Sequence, residues 1–171
     1  MKTSFDESFI KVAVKVLNKF PNLNMIINNV RRINQDFLMK WILKNDFYYV
    51  VIKSKFDGSL NGKFFAIMDM ASCDELINNV TGKHINILND YEKSLIQEFF
   101  NIFIGTFLAN SEEKYIKYEI PEVFILKSHE VLNEVLNENL NIFKIGCEKP
   151  IMDIILLLDL NEQNHEFLDN E

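Results

Sequence analysis

Between Asn89 and Asn110 the chain is mostly apolar, yet Ser94, Glu98, Asn101 and Gly105 are set into it at steps of four, three and four. At about 100° per residue these steps return to one side of an α-helix. The spacing therefore predicts one small-and-polar line along a helix otherwise built from Leu95, Ile96, Phe99, Phe100, Ile102, Phe103, Ile104, Phe107 and Leu108. A carboxylate and a carboxamide one turn apart can do chemistry. The carboxylate can pair with a partner's cation, and the carboxamide can donate to one group while accepting from a water. Taken alone, the line reads first as the wet face of a core helix, because a helix laid on a sheet needs one. The Glu-x-x-Asn spacing is itself common, and Glu130/Asn133 and Glu134/Asn137 repeat it.

Other chemistry-bearing residues are sparse. His84, His129 and His165 are scattered and read as surface residues, with no spacing of a dedicated metal site. Cys73 and Cys147 are too few and too far apart for a disulfide scaffold, which points to reduced thiols in a cytoplasmic protein. Cys73 sits near a helix start, where a thiol can be activated, but an ordinary semi-buried cysteine is the simpler reading.

The elements that must position the polar line follow from pattern. With 171 residues and 48% hydrophobic residues, 15 of them Phe, the chain suits one domain with a substantial core. We read residues 1–160 as that domain and 161–171 as an acidic tail. Five Gly and three Pro leave no linker that would divide it. The net charge of −7 argues against nucleic acid as a partner. It favours a partner with a basic patch, or one engaged through uncharged groups. Asp6 and Glu7 stand where the apolar part of a signal peptide would begin, so none is expected. The apolar stretch from Leu95 to Ala109 is interrupted by Gln97, Glu98 and Asn101 and is too short to span a bilayer.

A capping box at Ser4–Glu7 opens a first helix with Phe9, Ala13, Leu17 and Phe20 on one stripe, stopped by Pro21. Asn24–Lys44 reads as irregular with a strand in it. Phe47–Phe56 and Lys63–Met70 read as a hairpin, or as two strands joined through a tight bend, around Asp57-Gly58 and Asn61-Gly62. A second capping box at Ser72–Glu75 opens a short helix that ends at Gly82, and the long helix follows. Lys114–Lys127 is a strand interrupted by Pro121, Ser128–Leu140 an amphipathic helix, and Ile142–Cys147 and Ile151–Leu160 the last strands. Together these predict an α+β fold, helices packed on a mainly antiparallel β-sheet.

The segment from Ser94 to Gly105 resembles the signature helix of the CheC/CheX family of chemotaxis phosphatases. That signature has a small polar or acidic residue, Glu four on, Asn three further, Gly four beyond, and a Pro opening the next strand, here Pro121. Leu60–Ile67 is similar to the family's glycine-centred strand turn, and Ser72–Leu76 to the short helix after it. The resemblance runs from Gly58 to about Val123. A single Glu-x-x-Asn helix, with no counterpart in Ser4–Phe20, is more like CheX than CheC. This resemblance implies a CheC/CheX-like fold and dephosphorylation of the aspartyl phosphate of the response regulator CheY. It implies that Asn101 orients the attacking water and that Glu98 pairs with the regulator's active-site Lys. Ser94, Gln97 and Gly105 would touch the partner, and Mg2+ would be held by the partner and not by this chain.

The sequence departs from the family at Phe100, where a Gly usually precedes the Asn. Phe100 either buries into the sheet or crowds the contact. The resemblance also implies a homodimer formed through sheets, for which the apolar strand Ile151–Leu158 offers an edge, unless that strand sits centrally and is buried within one subunit. Two further readings stay open: a non-catalytic CheX-like module that binds a response regulator or flagellar-switch component, and an unrelated α+β ligand-binding domain.

Overall fold

A computed structural model of the chain describes residues 5–18, 26–44, 48–59, 61–110, 115–136, 140–149 and 152–160. In chain order these form α1 (Phe5–Asn18), β1 (Ile26–Ile33), α2 (Gln35–Lys44), β2 (Tyr48–Gly58), β3 (Gly62–Asp69) and α3 (Met70–Thr81). Then come α4 (Asp90–Ala109), β4 (Ile116–Tyr118), β5 (Glu122–Lys127), α5 (Ser128–Val135), β6 (Leu140–Lys149) and β7 (Met152–Leu160). The strands make one seven-stranded sheet in the order β1-β6-β7-β3-β2-β4, with β5 also paired to β2. Every pairing among the described residues is antiparallel, so the α+β reading holds.

Strand periodicity divides the core between the two faces of the sheet. Val50, Ile52 and Phe56 of β2, Phe64, Ala66 and Met68 of β3, and Ile154, Leu156 and Leu158 of β7 join the core of α1, α3 and α4. The alternate residues Tyr49, Val51, Phe65, Ile67, Ile155 and Leu157 join a second core under α2 and α5. A strand covered on both faces must be apolar at every position. That is why β7 reads as a continuous apolar run, and of the two places open to it the structure has the central one: β7 lies between β3 and β6, hydrogen-bonded on both sides. Any homodimer has to use another surface.

The hairpin β2–β3 is as expected. Gly58, at φ 125°, takes a conformation closed to other residues, and a Cβ on Gly62 would stand 2.0 Å from the Asp159 carbonyl of β7. Pro121 divides the predicted Lys114–Lys127 strand into β4 and β5, both held by β2.

Three expectations change. Residues 35–44 form a helix, α2, capped by the Asn34 side chain, which accepts from Phe37 N at 2.8 Å. Only Leu38 and Ile42 of α2 are fully buried, too few to make its period plain in the sequence. At its end the buried Tyr49 hydroxyl donates to the Ile42 carbonyl at 2.8 Å, satisfying a group the helix leaves open. The cap of α3 is Asp69, not Ser72: Asp69 Oδ1 accepts from Ser72 N at 2.7 Å, while the buried Ser72 Oγ accepts from Asp153 N at 3.0 Å. Gly82 ends α3 at φ 72°, as predicted. Helix α5 stops at Val135, and Leu140 begins β6. The proposed cap at Ser4, the stop at Pro21 and the acidic tail lie outside the described residues.

Candidate functional site

Helix α4 carries the polar line. Asn89 Oδ1 accepts from Tyr91 N at 2.9 Å and Glu92 N at 3.3 Å, and Glu92 reaches back to Asn89 N at 3.1 Å, a complete capping box. The helix is then locked in rotation by its rings. The Phe103 ring lies 5.9 Å from Phe64 of the sheet and 6.2 Å from Phe100, and Phe107 meets Phe9 of α1 at 5.0 Å. With Ile96, Phe99, Phe100, Phe103, Ile104, Phe107 and Leu108 buried, the opposite side of the helix has to face outward.

On that side Ser94 and Glu98 are exposed and Asn101 is half-buried. Ser94 Oγ donates to the Asp90 carbonyl at 2.8 Å. Among the described residues, no hydrogen bond engages the Asn101 carboxamide and no cation pairs with Glu98. Phe100 is 1% exposed, so its ring belongs to the core and does not crowd Asn101. The carboxamide and the carboxylate thus stand together, a turn apart, with their polar atoms available to a second molecule.

Gln97 and Gly105 are engaged within the chain. Gln97 Nε2 donates to the Pro121 carbonyl at 2.6 Å. Gly105 lies under Tyr118, and a Cβ there would meet the Tyr118 hydroxyl at 2.6 Å. That hydroxyl donates to the Asn101 carbonyl at 3.4 Å. Tyr118 was not singled out in the sequence. Its signal was Gly105 itself: a glycine within an apolar helix costs about 1 kcal/mol relative to alanine, and so marks a close approach.

Among the described residues, His84 and His129 form no group with Glu98 and Asn101. His84 Nδ1 instead lies 2.8 Å from Asp74 Oδ2, and Asp74 Oδ1 accepts from Ile85 N at 2.6 Å. With Glu75 these groups place their ligand atoms within 4.8 Å of one another. Asp74 uses both oxygens to tether the α3–α4 connection that leads into the site. The hydrogen bond to Asp74 and its charge raise the His84 pKa above 6.5, against a small opposing effect of desolvation. A raised folded-state pKa contributes stability below the unfolded value, lost as pH rises through the folded one. Replacing His84 by Ala should therefore lower the melting temperature at about pH 5.5, and the difference should shrink by about pH 9. An equal difference at both pH values would show that the ion pair is not the tether.

Cys73 and Cys147 are buried, with thiols pushed up by burial to about 12 and about 11. The helix-start activation considered for Cys73 is absent, because desolvation and the neighbouring Asp74 and Asp69 charges oppose the thiolate. Among the described residues no helix is long and apolar enough to cross a membrane.

Comparison with known proteins agrees with this architecture. No curated protein matches the sequence. Among solved structures, the fold is similar to that in the CheX–CheY–BeF3–Mg2+ complex from Borrelia burgdorferi, at 14% identity and TM-score 0.64, covering 93% of this chain and 99% of that one. It is similar to chemotaxis protein CheX from Vibrio vulnificus at 16% identity and TM-score 0.60, covering 93% and 100%. It is also similar to Thermotoga maritima FliY at 14% identity and TM-score 0.64, covering 94% and 89%. At such identities these likenesses speak to the fold. The family description "Chemotaxis phosphatase CheX" matches residues 50–143, a span that runs from β2 into β6 and holds all of α4. The chain belongs to the CheX family of chemotaxis phosphatases.

Proposed function

We propose that this protein dephosphorylates the aspartyl phosphate of a CheY-like response regulator in the cytoplasm. The observation that carries the reading is the pair Glu98 and Asn101, a turn apart on the open side of α4, within a chain of this family. Phosphoryl transfer requires positioning and charge neutralisation more than covalent help from the protein. Asn101 accepts a hydrogen bond from water through its carbonyl oxygen and holds that water in line with the phosphorus. The water oxygen forms the new P–O bond as the bond to the regulator's aspartate breaks, releasing inorganic phosphate and a carboxylate. Glu98 pairs with the regulator's active-site Lys and fixes the register of the two proteins. Ser94, Gln97 and Gly105 lie along the same contact. Mg2+ belongs to the regulator, where it neutralises charge on the phosphoryl oxygens.

The test is phosphate release from the phosphorylated CheY-like regulator of the same organism. Release well above the regulator's own decay is expected, and an unchanged decay overturns the proposal. Phosphorylation-dependent binding at that unchanged decay would instead identify a non-catalytic regulator-binding module.

A further inference from the structure

The segment Tyr118–Pro121 links β4 to β5, held on one side by β2 and on the other by α4. Ser54 Oγ donates to the Glu119 carbonyl at 2.7 Å, and Glu119 N donates to the Lys55 carbonyl at 2.8 Å. Gln97 Nε2 holds the Pro121 carbonyl at 2.6 Å, and the Tyr118 hydroxyl reaches the Asn101 carbonyl at 3.4 Å. These bonds pin the residues flanking Ile120 to β2 and to α4. Ile120 itself is 70% exposed.

A lone exposed isoleucine is ordinary on a protein surface. Ile120 differs in its mounting. Its backbone is fixed and its β-branched side chain has few rotamers, so little freedom remains to be lost on binding. Its anchors, Gln97 and Asn101, are neighbours of Glu98 on α4. Exposed charges of both signs flank the strap: Glu119 and Glu122, and against them Lys117 and Lys55, whose carbonyl accepts from Glu119 N. An exposed apolar side chain within a rim of mixed charge complements an apolar patch on a partner.

Resting on the phosphatase reading, we infer that Ile120 is the apolar anchor that seats the receiver domain of the phosphorylated regulator, because its strap is hydrogen-bonded to the same face of α4 that carries Glu98 and Asn101. Gln97 and Gly105 are positioning residues for it. Gln97 holds the strap at Pro121, and the missing Cβ of Gly105 makes room for the Tyr118 hydroxyl.

The experiment is steady-state dephosphorylation at varied regulator concentration, with wild type, Ile120→Ser and Gln97→Leu. Both variants should raise KM about tenfold, the ordinary effect of truncating one interface anchor. Their kcat should stay within about twofold, because the interaction is made equally in ground and transition states. A merely unfolded fraction would lower apparent kcat and leave KM alone, so the split separates docking from stability. An active wild type with KM unmoved in Ile120→Ser overturns this inference and leaves the phosphatase reading standing. A loss confined to kcat overturns it as well. A wild type that fails to accelerate release overturns both.

Discussion

Replacing Asn101 by Ala should lower kcat for regulator dephosphorylation by about 100-fold or more, the scale on which misplacing a reacting group is felt. The carboxamide is the only group of the pair that can both donate and accept, and among the described residues it has no partner within the chain. Alanine removes it without leaving another buried group unsatisfied. Alanine also has the higher helix propensity, so stability should stay within about 0.5 kcal/mol of wild type. KM should change little, since Glu98 and the apolar contacts remain. Phosphate release at varied regulator concentration, together with a thermal melt, checks both halves. Equal acceleration by the variant would remove Asn101 from the chemistry.

The second large effect is on stability. Changing Phe100 to Gly, the residue usual in the family at this position, should cost this chain about 4–6 kcal/mol. Most of that is the cavity left by a ring that meets Phe99 at 5.0 Å and Phe103 at 6.2 Å in the core. The rest is the conformational freedom of glycine inside a helix. Against a typical domain stability of about 5–15 kcal/mol this is a large fraction, and many molecules would be unfolded at mild denaturant. Urea titration of the two proteins measures it. A cost near 1 kcal/mol, that of a glycine in an exposed helix, would mean that Phe100 lies on the open face. The side chain before the Asn is therefore a question of core packing in this protein.

The two predictions rest on the same rotation of α4. Glu98 and Asn101 are available because Phe99, Phe100, Phe103 and Phe107 point the other way. In the sequence this was visible as a period: apolar residues at helical spacing, with one polar line left over. The hairpin with its Asp-Gly and Asn-Gly turns, the glycine cap of α3 and the break at Pro121 were legible for the same reason, since each is set by neighbours along the chain.

Less was legible where partners are distant in sequence. Helix α2 was hidden because a short helix with two fully buried residues has little periodicity to detect. The place of β7 was open between an edge and the centre of the sheet, because an apolar run does not say which; the neighbours β3 and β6 decide that. Ser72 has the spacing of a cap, but Asp69 takes the role once Asp153 engages the serine hydroxyl. Gln97, Gly105 and Tyr118 were brought together only when β4 and β5 paired with β2 and laid their connection across α4. The sequence by itself determined the local periods: an α+β chain, a helix with a polar line, and the spacing of Glu98 from Asn101. Tertiary structure alone decided which side of that helix is open and what stands beside it, because exposure depends on contacts between residues far apart in the chain, and no local spacing encodes them.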